Sequence, residues 1–149
     1  SKCDNASMLT ITAKIDGEFL ANYWADGLIV ATATGSTAYS LSVGGPIAMP
    51  ASKNFIITPI APHNLSLRPL VVPNTSEIDL HVEGRGQHIL TSMDGRNHVM
   101  QNGCNMRITP APFKVKVITL GWHTFFEAMR DKLMWGADAR NPLVEINEP

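Results

Sequence analysis

The residues best suited to chemistry fall between positions 26 and 43: the carboxylate of Asp26, and the hydroxyls of Ser36 and Thr37. An ionised carboxylate only accepts hydrogen bonds, which suits ribose hydroxyls or a carboxamide NH₂. Between the two groups lies an apolar run, residues 28–33, then a Thr34-Gly35 break and a helix-compatible stretch ending in Leu41-Ser42-Val43. A helix start leaves backbone N–H groups without partners, and the local dipole favours acceptors. The corner is therefore expected to offer backbone donors to a polar ligand beside Ser36 and Thr37. The plainer alternative is a strand-to-helix corner whose hydroxyls only cap backbone. Gly44-Gly45-Pro46 turns the chain again.

The elements that must position this corner are strands. Residues 8–15 and 18–24 alternate around Asp16-Gly17, and a two-residue Asp-Gly link between β-type runs predicts a hairpin. The uninterrupted apolar run 28–33 predicts a strand buried on both faces. Further strands are expected at 55–58, 70–72, 77–82, 88–93, 97–100, 105–109 and 114–120, separated by Gly, Pro and Asn clusters as in a sandwich. Five prolines deny long helix to residues 44–54 and 59–69. One segment differs. Phe125, Phe126, Met129 and Leu133 recur at helical spacing, with Glu127, Arg130, Asp131 and Lys132 on the other face. Thr124 and Glu127 fit a capping box, and Gly136 is expected to stop the helix. The fold class expected is mainly β, sandwich-like, with a short helix after the Thr-Gly-Ser-Thr turn and a C-terminal amphipathic helix.

The 149 residues suffice for one cored domain, and a formal net charge of −1 gives no electrostatic footprint for nucleic acid. No apolar stretch approaches the roughly 20 residues that span a bilayer, so no membrane partner is expected. Cys3 and Cys104 lack metal-binding spacing and read as reduced thiols of a cytosolic protein. The chain opens on Ser1-Lys2-Cys3-Asp4-Asn5 without Met, so an excised fragment is expected.

Asp26-Gly27, then Thr-Ala-Thr-Gly-Ser-Thr-Ala-Tyr (32–39) and Gly-Gly-Pro-Ile (44–47), closely resemble the C-terminal domain of bacterial-type NAD kinases. The likeness extends to Ile15-Asp16-Gly17-Glu18-Phe19-Leu20, Thr58-Pro59-Ile60-Ala61-Pro62-His63 and Arg68-Pro69-Leu70-Val71-Val72-Pro73. These blocks cover most of residues 8–95. The resemblance implies a β-rich NAD-binding domain over residues 1–121. It further implies that residues 122–149 dock on an N-terminal α/β domain.

It also implies the site. Asp26 binds polar groups of the nucleotide, Thr37 and Ala38 hold a nucleoside, Tyr39 packs on a base and Ser42 hydrogen-bonds below it. Ala61 and His63 reach a nicotinamide-side subsite, often across a subunit boundary, and Asp94 sometimes contributes to a neighbouring subunit's pocket. The plainer readings are a turn residue for Asp26 and Asp94, and a surface loop for His63. Two positions depart from the family's usual residues: Trp24 stands where many members carry Arg, and Ala33 where Pro is usual.

The implied reaction moves the terminal phosphate of ATP or another donor to the 2′-hydroxyl of NAD's adenosine ribose, with magnesium. A cytoplasmic homo-oligomer (dimer or tetramer) is implied. In the family, a Gly-Gly-Asp-Gly aspartate and an Asn-Glu pair position phosphate and metal. These 149 residues hold no Gly-Gly-Asp-Gly, and the family's Asn-Glu pair lies upstream of the matching blocks, so the chain alone is expected to hold NAD or NADP without catalysing. The rival readings are a non-catalytic oligomerisation module and a domain of a related lipid kinase.

Overall fold

The computed structural model describes residues 8–118, 121 and 124–137. The chain divides into two compact units, residues 1–112 and 113–149.

The first unit is built from antiparallel strands. Strands β1 (Leu9–Ile15) and β2 (Glu18–Ala25) form the expected hairpin. Asp16 and Gly17 take φ of 52° and 84°, the paired positive values of a type I′ turn. The Asp16 side chain accepts a 2.8 Å hydrogen bond from the Glu77 backbone, tying the turn to the start of β6 (Ile78–Glu83). With β9 (Cys104–Ile108) these strands make a sheet in the order β2-β1-β6-β9. A second sheet holds β3 (Gly27–Thr32), β4 (Asn54–Ile60) and β5 (Leu70–Pro73) in chain order. Strands β7 (His88–Met93) and β8 (Arg96–Gln101) pair only with each other among the described residues.

The inward face of each strand explains the core. Ile11 and Ala13 of β1, Tyr23 of β2 and Ile78, Leu80 and Val82 of β6 meet Phe55 and Ile57 of β4, Val72 of β5 and Ile89 of β7. Alternate residues of a pleated strand share a face, so these i, i+2 spacings give one continuous apolar layer.

The chain crosses between the two sheets at a single residue, Asp26, which separates β2 from β3. Beyond β3, residues Thr34–Thr37 form a 3-10 turn, and Tyr39–Ser42 form α1. Gly44, with φ of 87°, ends α1 in a Schellman arrangement: Gly45 N–H donates to Ser40 O at 2.8 Å, and Gly44 N–H to Leu41 O at 3.0 Å.

Three expectations are corrected. Strand β3 is half-buried rather than enclosed on both faces, because it is the edge of its sheet and pairs only with β4. Residues 114–118 do not form a strand, since no described strand pairs with them, and Val115 and Val117 stand 81% and 79% exposed. Residues 119 and 120 of that run lie outside the described residues, as do Cys3 and Trp122. Strand β4 also runs beyond its expected end, through Pro59 to Ile60.

In the second unit, helix α2 (Phe125–Leu133) starts on the expected capping box, with Glu127 N–H donating to Thr124 Oγ1 at 3.2 Å. It stops earlier than expected. Met134 takes the left-handed conformation (φ 51°) and caps the helix two residues before Gly136. The Phe125 and Phe126 rings meet edge to face, 5.8 Å apart.

Candidate functional site

A cavity of about 640 Å³ opens beside the edge strand β3, within the size range of small-molecule sites. Its floor is apolar, with Leu28 and Val30 of β3, Leu80 and Val82 of β6, and Ile89 of β7. Polar groups gather around this floor: Asp26 at one end of β3, Thr32 at the other, Ala38 and Tyr39 at the α1 start, and Ser92 and Asp94 on the β7–β8 hairpin. That combination orients a ligand by few polar contacts while burying its flat apolar parts.

Each lining group has a local cause. Asp26 is exposed; its backbone N–H donates to Ile60 O at 3.0 Å, leaving the carboxylate with no partner among the described residues. Gly27 follows, where a Cβ would meet the Ile60 side chain of β4 at 3.0 Å. Tyr39 is 61% exposed, its ring offered to the cavity rather than to the core. Asp94 sits in the type I′ turn of the hairpin, with φ of 48° followed by Gly95 at 79°.

The hydroxyls behave differently from the simple expectation. Ser36 is fully buried; its Oγ accepts from Ala48 N–H at 3.0 Å and fastens the loop after α1. It is a structural clamp, not a ligand group. Ser40, in α1, is also buried, with Oγ 3.1 Å from Thr58 Oγ1 of β4. The two serines anchor the corner, which lets Ala38 and Tyr39 face outward. The expected array of free backbone donors is also smaller. Ser36 N–H donates to Ala33 O, Ala38 N–H to Gly35 O, and Gly35 N–H to Thr32 Oγ1.

The cavity thus gathers Asp26, Ala38, Tyr39 and Asp94 from the expected set. Thr37, Ser42, Ala61 and His63 are exposed but lie outside its lining. Ala61 takes a positive φ of 44° where the chain leaves β4, and His63 N–H then donates to Trp24 O at 2.8 Å. His63 and Trp24 line a different cleft of about 480 Å³, with Thr10, Glu83 and Arg85. Trp24 therefore lines that cleft and not the main cavity. Sequence reasoning missed Ser92 and Ser40. The alternation of β7 and the Ser36-to-Ser40 spacing were the available signals.

Burial raises the Tyr23 phenol above its ordinary value of 10.0. On the outer face of the four-stranded sheet, Arg107 is paired with Asp79 at 2.7 Å and Glu77 at 3.3 Å, and Asp79 above all raises its pKa. A third depression there, about 370 Å³, is lined by Asp79 and Arg107 with Lys14 and His81. Among the described residues no three His, Cys, Asp or Glu side chains converge as metal ligands.

A two-sheet β domain with an open, polar-rimmed cavity at an edge strand is a small-molecule-binding domain in form. Comparison makes this specific: residues 2–120 match the family described as the ATP-NAD kinase C-terminal domain, and the chain belongs to that family. It is 48% identical over 141 residues to the NAD kinase of Cytophaga hutchinsonii, and 49% identical over 141 residues to that of Flavobacterium psychrophilum. Each alignment covers 95% of this chain and 48% of the relative, so the chain spans about half the length of these curated relatives. Its fold is similar to yeast NADH kinase complexed with NADH, with a TM-score of 0.75 at 25% identity, covering 98% of this chain and 44% of that one. It is also similar to an NAD kinase from Archaeoglobus fulgidus in complex with ATP, with a TM-score of 0.65 at 30% identity, covering 74% and 43%.

Proposed function

We propose that this chain is the dinucleotide-binding part of an NAD kinase, which phosphorylates the adenosine-ribose 2′-hydroxyl of NAD from ATP or another phosphate donor. The observation that carries the reading is the convergence of Asp26, Ala38, Tyr39 and Asp94 on one cavity in a chain of this family. The NADH and ATP held by the two similar structures support it. In this reading Tyr39 stacks on a flat ring, and the Asp26 carboxylate accepts from ribose hydroxyls or an amide NH₂. Thr37, one position before the lining residues 38–40, and Ser42, two positions after them, serve the ligand's periphery. His63, facing a separate cleft, and Ala61, where the chain leaves β4, serve a second copy in a homo-oligomer, dimer or tetramer.

Phosphoryl transfer needs phosphate positioning, a metal and an oriented hydroxyl. The described residues supply binding and orientation of the acceptor only. Magnesium and the phosphate donor would be held with an α/β domain, on which residues 122–149 dock beside the β-rich residues 1–121. A cytoplasmic setting goes with this reading. The test is NADP formation from NAD and ATP. The chain alone should form none, and the chain joined to an α/β domain carrying Gly-Gly-Asp-Gly should form NADP. Turnover by the chain alone, or none by the joined protein, contradicts the proposal.

A further inference from the structure

The β7–β8 hairpin supplies Leu90, Thr91, Ser92, Asp94 and Gly95 to the cavity, yet it joins neither larger sheet among the described residues. A lone two-stranded ribbon is marginal in water, so something else must hold it in place. Ile89 reaches the core, and the Thr91 hydroxyl makes one long contact to Met106 Sδ at 3.9 Å. The remaining ties converge on one side chain. Asn102 Oδ1 accepts from Gly84 N–H at 2.8 Å and from Gly103 N–H at 2.9 Å, while Asn102 Nδ2 donates to Gly84 O at 2.7 Å. Its own N–H donates to Gln87 O at 2.9 Å.

Asn102 therefore stands in for a missing strand. It satisfies both backbone groups of Gly84 where the chain leaves β6, and it does so from the point where the chain returns from β8. The two ends of the hairpin are pinned to each other by one amide. Only one amide orientation fits, because the oxygen meets two N–H groups and the nitrogen meets a carbonyl. Gly103, at φ of 77°, turns the chain directly back into β9 and donates to Val82 O at 3.0 Å. Gly84 is itself close-packed: a Cβ there would meet Leu9 Cδ2 at 2.9 Å and Ile89 Cδ1 at 3.2 Å. The latch thus closes on a fixed point.

We infer that Asn102 is a positioning residue, the latch that sets the β7–β8 hairpin as one wall of the dinucleotide cavity. It touches no ligand; it acts through Ser92 and Asp94. The inference rests on the proposed dinucleotide reading of that cavity, and two measurements separate the two claims. The first is backbone hydrogen exchange of the 149-residue chain and its Asn102→Ala and Asn102→Asp variants. Asn102→Ala should speed exchange in residues 88–101 by about tenfold or more and leave the β1–β6 pairs unchanged. Asn102→Asp keeps the acceptor for both N–H groups and should fall between the two. Unchanged hairpin exchange, or an equal rise throughout both sheets, overturns the latch.

The second is titration with NADH followed by its own fluorescence. Asn102→Ala should weaken binding by about tenfold, with partial recovery in Asn102→Asp. Equal affinity in wild type and Asn102→Ala overturns the positioning role. If wild type binds no NADH, the dinucleotide reading fails, and with it the role at that cavity. The exchange pattern still decides whether Asn102 latches the hairpin.

Discussion

Asp26 and Tyr39 are exposed side chains with no structural task among the described residues, whereas Ser36 and Ser40 are buried with defined partners. That contrast separates the free side chains from the supporting ones within fifteen residues of chain. Asp26→Asn should weaken NADH binding by about 1.5–3 kcal/mol, the range for a charged hydrogen bond, and Tyr39→Ala by about 1–3 kcal/mol through lost stacking. Neither change should move the urea midpoint measured in parallel. Ser40→Ala should do the reverse in kind, costing about 1–3 kcal/mol of folding stability by stranding the Thr58 hydroxyl. Positions 26 and 39 were singled out from the sequence, Asp26 as a carboxylate heading a strand and Tyr39 through the family resemblance, and both line the cavity. The division of labour among the serines was not legible in the sequence. A hydroxyl looks the same on paper whether it faces a ligand or clamps a loop, and only the packing of β4 and Ala48 decides.

At the scale of elements, the turns were the most readable features. Asp16-Gly17 and Asp94-Gly95 both adopt the type I′ geometry that their residue types favour, because that turn needs positive φ at two successive positions. The strand at 28–33 was legible in place but not in environment. Continuous apolar sequence fits a doubly covered strand, and it equally fits an edge strand whose open side floors a cavity. The run 114–120 shows the same limit: alternation marks a strand-compatible segment but cannot supply the partner that a strand needs. Local packing at the α1 end carries its own prediction. A Cβ at Gly45 would approach Ser40 O to 2.7 Å and Thr58 Oγ1 to 3.0 Å. Gly45→Ala should therefore cost about 1–3 kcal/mol in chemical denaturation, since either α1 or β4 must shift. It should also lower NADH affinity, because α1 carries Tyr39.

Across the whole molecule, the two sheets share a single core in which Tyr23 is 3% exposed. Its raised pKa fixes a sign. The unfolded chain loses the phenolic proton first, so above pH 10.0 the unfolded state is favoured, and the stability present below that value falls as pH rises through the folded pKa. Urea midpoints should accordingly drop above pH 10.0 in wild type and drop less in Tyr23→Phe. A parallel decline in both proteins would assign the alkaline loss elsewhere. The same core holds β3 and β6 on opposite sides of the cavity floor, so the site depends on the sheets staying packed rather than on any loop alone.

The most direct measurement is an NMR titration of the chain with NAD up to millimolar concentration, reading which backbone amides shift. The account predicts saturable shifts concentrated at Asp26, Ala38, Tyr39 and the Asp94 turn, with the outer face of β6 and β9 silent. Shifts confined to that outer face, or a chain that stays unperturbed throughout while a version joined to its α/β domain binds NAD at another place, would contradict it.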